Sequence, residues 1–365
     1  MMLTLRALEV AMLSPLVLTF AAVWRAYFLL NSPAHSRRVN KKDKVRLKNR
    51  TLNHSPRATT LLAWSLPLFC SLTLYFFTLR AFEGLAFYRH LHLSNFTVGL
   101  CVFLLIIGTV SHWWLAKAIT RGRYQGLSLD YVTSLVLLFF YLPFIVLANT
   151  ALTLFFFLEL ASTLILYNFA TSQSWAGLTQ RKAKGGQASQ TLATSKYFFN
   201  VIFFQFWASF FSSTLIVYAI INFYLFFGTT EWFYLNFLAN LALANGRQAP
   251  LGLYLTLVVL ALGFGLKLGI APFFAYKVEI YKGLPLYALF FYSVVYFVVF
   301  FTATMVLFSY YFAVGGALLK PLAAALLGIA CLFMVLFMFD SQALRNFFAL
   351  SSLINATNLL VLLFA

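Results

Sequence analysis

The stretch TLVVLALGFGLKLGIAPFFAYKVEIYKGLP, residues 256–285, carries a lysine, Lys267, inside an apolar run that extends over Leu251–Tyr276. About 20 apolar residues suffice to cross a bilayer as a helix. In lipid only a helix or a closed barrel satisfies its own backbone. Sixteen residues of the run precede Lys267, which sets it roughly 24 Å along the helix. That is too deep to snorkel easily to water. A charged group at such depth is functional by default, and a desolvated lysine can exchange a proton near neutral pH. Gly265 and Gly269 form a GxxxG around it, a spacing that lets a second helix come close. Pro272 lacks an N–H, which leaves the Leu268 carbonyl without its helical partner. A broken helix beside a buried lysine is the transporter arrangement. The glycines are not a dinucleotide fingerprint: Leu268 stands where the third glycine belongs, and no strand precedes them.

The rest of the chain has the same character. Of 365 residues, 62% are hydrophobic and 9% charged, against about 25% charged in soluble domains. Ten runs are long enough to span: Ala7–Leu30, Thr59–Leu79, Phe96–Ala116, Leu129–Ala148, Thr150–Ala170, Lys196–Phe227, Leu251–Tyr276, Gly283–Phe312, Pro321–Phe339 and Phe347–Ala365. The expected fold is all-α, a polytopic membrane protein of about ten helices. If the runs alternate, eighteen loop Lys and Arg fall on one side and four on the other. This positive-inside signal places loops 31–57 and 171–195 on the matrix or cytoplasmic side and the N-terminus opposite. The net charge of +18 thus reads as topology and contact with anionic lipid, not as nucleic-acid binding. Loop 31–57 reads as a solvated basic loop facing lipid headgroups. Segment 171–195 reads as flexible, and 228–250 as an amphipathic stretch at the interface.

Two further ionisable residues fall in spans. Glu159, in ALTLFFFLELASTLILYNF, sits near mid-depth and needs either a charge partner or a Ser/Thr hydrogen bond. Lys196 opens its span, where position alone makes it an interfacial anchor. Glu9, Arg25, Asp130 and Asp340 lie at span ends. No Walker sequence occurs, and no histidine follows His112, so the later helices offer no bis-His haem pair. His90 and His92 have no third metal ligand nearby, and Cys70, Cys101 and Cys331 are scattered. The start, MMLTLRALEVAML, has neither a transit-peptide composition nor a cleavage site, so insertion where the chain is made is expected. The 44 Phe are what an A+T-rich genome encodes, which points to an organelle.

KLGIAPFFAYKVEIYKGLP (267–285) resembles the KLGxxPFHxWxPDVYxGxP segment of the NADH dehydrogenase subunit 2 family, antiporter-like membrane subunits of respiratory complex I. TLFFFLELASTLILYNF resembles the family's helix with the mid-membrane Glu, TSKYFFNVIFFQFWASFF its LKYF helix start, and LRNFFALSSLINATNLLVL (344–362) its KRLLAYSSIxHxG segment. The resemblance implies proton translocation in the mitochondrial inner membrane, with Glu159 and Lys196 pairing on neighbouring helices and tuning Lys267. It implies a three-helix region over 1–128, one complete five-helix repeat over 129–312, and the start of an inverted second repeat over 313–365. It implies no redox group or metal on this chain, with NADH, FMN, iron–sulfur clusters and ubiquinone in other subunits. Its partners would be other membrane-arm subunits, membrane lipids, and a second chain supplying the remaining C-terminal helices. The departures are Phe274 for the family His, Val278 for a Pro, Glu279 for Asp, and Phe297 where a second buried Lys is common. A lone cation/proton antiporter subunit and a scaffold that has lost pumping are the competing expectations.

Overall fold

A computed structural model describes residues 56–311, except 80–83, 87, 121–128, 183–187, 245–250 and 270–274, together with isolated positions beyond 311. The first expected span, loop 31–57 up to residue 55, and the ninth and tenth spans apart from those isolated positions lie outside the described residues. So does Pro272.

The described chain is mostly helical. Its elements are α1 (Pro56–Leu79), β1 (Gly84–Ala86), β2 (Leu91–Leu93), α2 (Asn95–Thr120), α3 (Leu129–Leu147), α4 (Ala151–Lys182), α5 (Ala188–Phe227) and α6 (Trp232–Ala244). There follow α7 (Leu251–Leu268), α8 (Ala275–Gly283), α9 (Leu286–Phe290) and α10 (Phe297–Met305), with π-helical stretches at Phe291–Tyr296 and Val306–Tyr311. Six helical segments are long and apolar enough to cross a membrane: Asn95–Lys117, Asp130–Leu147, Ala151–Ser172, Phe199–Phe227, Leu251–Leu268 and Ala288–Ser309. A shorter apolar segment, Ser65–Thr78, lies in α1. These seven correspond to the second to eighth expected spans; the expectation of ten helices is not reached within the described residues.

One difference has a plain cause. The seventh span was expected to run to Tyr276, but α7 stops at Leu268 because Gly269 takes φ +63°, a left-handed conformation that glycine adopts without strain. The loop around 84–93 pairs as an antiparallel hairpin, Gly84 opposite Leu93. In the segment expected to lie at the interface, Trp232 is buried while Phe233, Tyr234 and Phe237 are exposed.

Two threonine and serine caps fix where the central helices begin. Ser94 and Thr97 exchange backbone and side-chain hydrogen bonds of 3.0 and 3.1 Å at the start of α2, a reciprocal cap. Thr150 accepts from the Thr153 N–H at 3.2 Å and starts α4. Between them Asn149 clasps one end of the bundle. Its amide donates to the Arg89 carbonyl at 2.8 Å, its N–H donates to the His90 carbonyl at 2.8 Å, and its carbonyl accepts from the Trp232 N–H at 3.1 Å. The hairpin, the α3–α4 turn and the start of α6 are thereby joined. Asn149→Ala removes the side-chain bond and leaves the Arg89 carbonyl without that donor. It is expected to lower stability by about 1 kcal/mol, read as an earlier thermal melt of the purified protein in detergent. An unchanged melt would show that the side-chain bond of the clasp contributes nothing.

The interior is apolar and aromatic, with Tyr131, Phe223, Trp232, Phe264, Phe300 and Tyr311 among its most buried large side chains. Helix α5 packs against α4, α7 and α8, and α3 packs against α2 and α4. The outer surface carries exposed residues such as Leu74, Phe77, Phe199, Leu225 and Leu251, as expected of a body solvated by lipid or by other helices.

Candidate proton-transfer site

Glu159 lies nine residues into α4, about two and a half turns from the clasped end. Lys267 lies one residue before the end of α7. Helix α5 packs against both α4 and α7 and holds α7 close through Gly263. A Cβ at Gly263 would meet Ile216 Cγ1 at 2.8 Å, and the Gly263 carbonyl accepts from Ser212 Oγ at 2.8 Å. The close approach expected at Gly265 and Gly269 therefore falls on Gly263 instead. Gly265 faces open space, and Gly269 terminates the helix.

This packing brings the two charges together. Lys267 Nζ donates to Glu159 Oε1 at 2.5 Å and to Ser162 Oγ at 3.1 Å. Ser213 Oγ, from α5, donates to the same carboxylate oxygen at 2.5 Å. The lysine side chain is 1% exposed and the glutamate 31%. An ammonium buried this deeply requires a paired charge and hydrogen bonds, and Glu159 and Ser162 supply both. Glu159 thus has a charge partner and a serine hydrogen bond, the two alternatives open in the sequence.

Among the described residues the charge partner of Glu159 is Lys267. Lys196 lies on α5, and its side chain is outside the described residues, so the expected Glu159–Lys196 contact falls outside them too.

A second buried lysine was missed in the sequence. Lys277, counted there among the loop cations, is 4% exposed. Its Nζ donates to the Leu268 carbonyl at 2.5 Å and lies 5.7 Å from the Phe297 ring centre and 6.0 Å from that of Tyr292. Tyr276 OH donates to the Leu266 carbonyl at 2.5 Å. Side chains of α8 thus satisfy two of the carbonyls that the end of α7 leaves open. The one available signal was that a free helix end requires donors, and Tyr276 and Lys277 are the polar residues that follow it. Phe297, where the resemblance expects a lysine, is one of the rings under Lys277.

Gly269→Ala would force a left-handed alanine and set its Cβ 2.6 Å from Lys277 Cδ and 2.9 Å from Tyr276 OH. A loss of about 1–3 kcal/mol is expected, measured as a lower melting temperature in detergent. An alanine variant as stable as the parent would refute this account of the helix end.

Solved structures of similar fold are membrane-complex subunits. Respiratory complex I from Thermus thermophilus contains a chain that matches 93% of this one with a TM-score of 0.59 and 14% identity. The membrane-bound sulfane sulfur reductase, an archaeal respiratory membrane complex, matches 95% at 0.62 and 14%. The Mrp complex from Dietzia sp. matches 98% at 0.60 and 12%. The chain has an antiporter-like fold. At these identities the likeness is one of fold, and it fits the resemblance to NADH dehydrogenase subunit 2 read in the sequence. The chain spans 62%, 64% and 58% of those three chains. In sequence, an uncharacterized mitochondrial protein, ORF4 of Paramecium tetraurelia, is 46% identical over 83 residues, which is 22% of this chain and 53% of that protein. No family model matches. Among the described residues no group of His, Cys, Asp or Glu is placed to hold a metal ion.

Proposed function

We propose that this chain is a proton-translocating membrane-arm subunit of a respiratory NADH:ubiquinone oxidoreductase, seated in the mitochondrial inner membrane. The observation that carries the reading is the buried Lys267–Glu159 pair inside an antiporter-like fold. Lys267 donates to Glu159 and Ser162 of α4, and Ser213 of α5 donates to the same carboxylate; a lysine so held can be charged or neutral with little rearrangement, which is what a proton-carrying site requires. The stretch shared with a Paramecium mitochondrial protein supports the location. In this reading Glu159 and Lys267 transfer the proton, with Lys196 on the same route nearer the basic loops. NADH, FMN, iron–sulfur clusters and ubiquinone stand in other subunits, and other membrane-arm subunits and lipid surround this one.

The likeness to the Mrp complex supports a second reading, a cation/proton antiporter subunit outside complex I. Mass spectrometry of the native complex separates the two by the subunits that accompany this chain. It also shows whether further helices of the fold come on this chain or on a second one. Within the complex, the reading is tested by proton translocation with Lys267→Met: loss supports it, and an unchanged ratio of protons to NADH leaves a scaffold.

A further inference from the structure

Lys277 is not needed to neutralise anything in the Lys267–Glu159 pair, yet it is buried and its Nζ sits at the end of the same helix. Polar groups of α8, α5 and the π-helical stretch at Phe291–Tyr296 gather near Lys277. Tyr276 OH and the Lys277 side chain both flank Gly269, and the Tyr292 ring centre lies 6.0 Å from Lys277 Nζ. Tyr292 OH donates to Gln205 Oε1 at 3.4 Å. The Tyr296 ring stacks on that of Tyr292 with centres 5.2 Å apart. Beside Tyr292 and Tyr296 is a cavity of about 20 Å³ that Asn168 also lines, enough for one water. The Asn168 side-chain oxygen is buried with no hydrogen-bond partner among the described residues, so a water there would have an acceptor waiting.

The direction of this set is fixed by the helices. Gln205 lies about 8 residues before Ser213 on α5, and Asn168 about 6 residues after Ser162 on α4. Both steps, about 12 and 9 Å, lead from the Glu159 level toward the ends joined by the basic loops, the inner side by the charge rule.

We propose that Lys277 is a second proton-carrying residue, placed between the inner face and the Lys267–Glu159 pair. The proposal rests on the reading of the chain as a proton translocator. Lys277 takes a proton from inner-side water and holds it as an ammonium over two aromatic faces. When the pair has released its own proton, an N–H bond of Lys277 breaks. The hydroxyls of Tyr276, Tyr292 and Tyr296 and a cavity water each accept one proton and give up their own. The last proton forms a new N–H bond on the Lys267 amine. Lys277, now an amine, is reloaded from water. Gln205 orients the hydroxyls, and no electron is transferred.

The bland role for Lys277 is a cap on the Leu268 carbonyl, and arginine distinguishes the two. Arginine keeps the charge and can donate to that carbonyl, but it does not release a proton in a protein. In the assembled complex, Lys277→Met and Lys277→Arg are both expected to slow NADH-driven proton translocation by about tenfold or more, as loss of a positioned proton donor does. Normal pumping in Lys277→Arg would overturn the proposal and leave a cap. If arginine does not fit and the complex fails to assemble, Tyr292→Phe removes one hydroxyl and keeps the ring. It is expected to slow translocation severalfold in an intact complex, and Tyr292→Phe with wild-type flux overturns the relay. Lys267→Met is measured beside them. Flux lost there and kept in the Lys277 and Tyr292 variants rejects this inference alone. Flux kept in Lys267→Met rejects the translocator reading itself.

Discussion

Lys267→Met is expected to give a complex of normal subunit content that has lost proton translocation through this chain. Methionine is similar in length and leaves no buried charge behind on α7. The groups it abandons remain satisfied: Ser162 Oγ still donates to the Leu158 carbonyl at 2.8 Å, and Glu159 still accepts from Ser213 and keeps its 31% exposure. Folding therefore has little reason to fail. Transfer does, because the proton loses its carrier at the point where α4, α5 and α7 meet. Removing a positioned proton-transfer group slows its step by about 10²–10⁴, so protons moved per NADH should fall. The measurement is quenching of a pH-sensitive dye in vesicles holding the purified complex, beside NADH oxidation and a native gel. Wild-type quenching by an intact complex would sink the assignment.

How much of this was legible depended on whether the signal was local. A helix in lipid is set by its own composition, so the apolar runs located seven helices, with their ends off by up to about a dozen residues where a glycine stops a helix or a polar turn prolongs it. Lys267 and Glu159 stood out for the same reason, as charges where lipid tolerates none. Their pairing was not legible, because it depends on how α4, α5 and α7 lie side by side, and no spacing along the chain encodes that. Lys196 was the nearer residue in sequence, and a span count treats it as a neighbour of Glu159, whereas the fold sets Lys267 against that carboxylate. Lys277 was hidden for the opposite reason. It follows a helix break, so by sequence it belongs to a loop, and only the fold of α8 back under α7 buries it. The glycines illustrate the same limit. A GxxxG pattern says that helices approach, and which glycine makes the contact is decided by the helix that arrives.

Removing Glu159 should harm the protein more than removing both members of the pair. Glu159→Ala leaves Lys267, with 1% of its side chain exposed, without a counter-charge. Breaking a buried ion pair from one side costs about 3–5 kcal/mol. The glutamate's partial exposure gives water some access, so the lower part of that range is expected. The variant should assemble poorly or melt early. Combining the change with Lys267→Met removes the stranded charge. Apolar replacement of both partners of a buried pair is often neutral or stabilising, so the double variant should recover most of the lost stability. A double-mutant cycle on thermal melts in detergent should then give a coupling of about 0.5–3 kcal/mol. Proton translocation should stay lost in all three variants, since no combination restores a carrier. Stability and transport would thus separate: the second substitution repairs the first and does nothing. Additive losses on melting would mean that the two side chains do not support one another. Recovered transport in the double variant would mean that protons cross the membrane somewhere other than at Lys267.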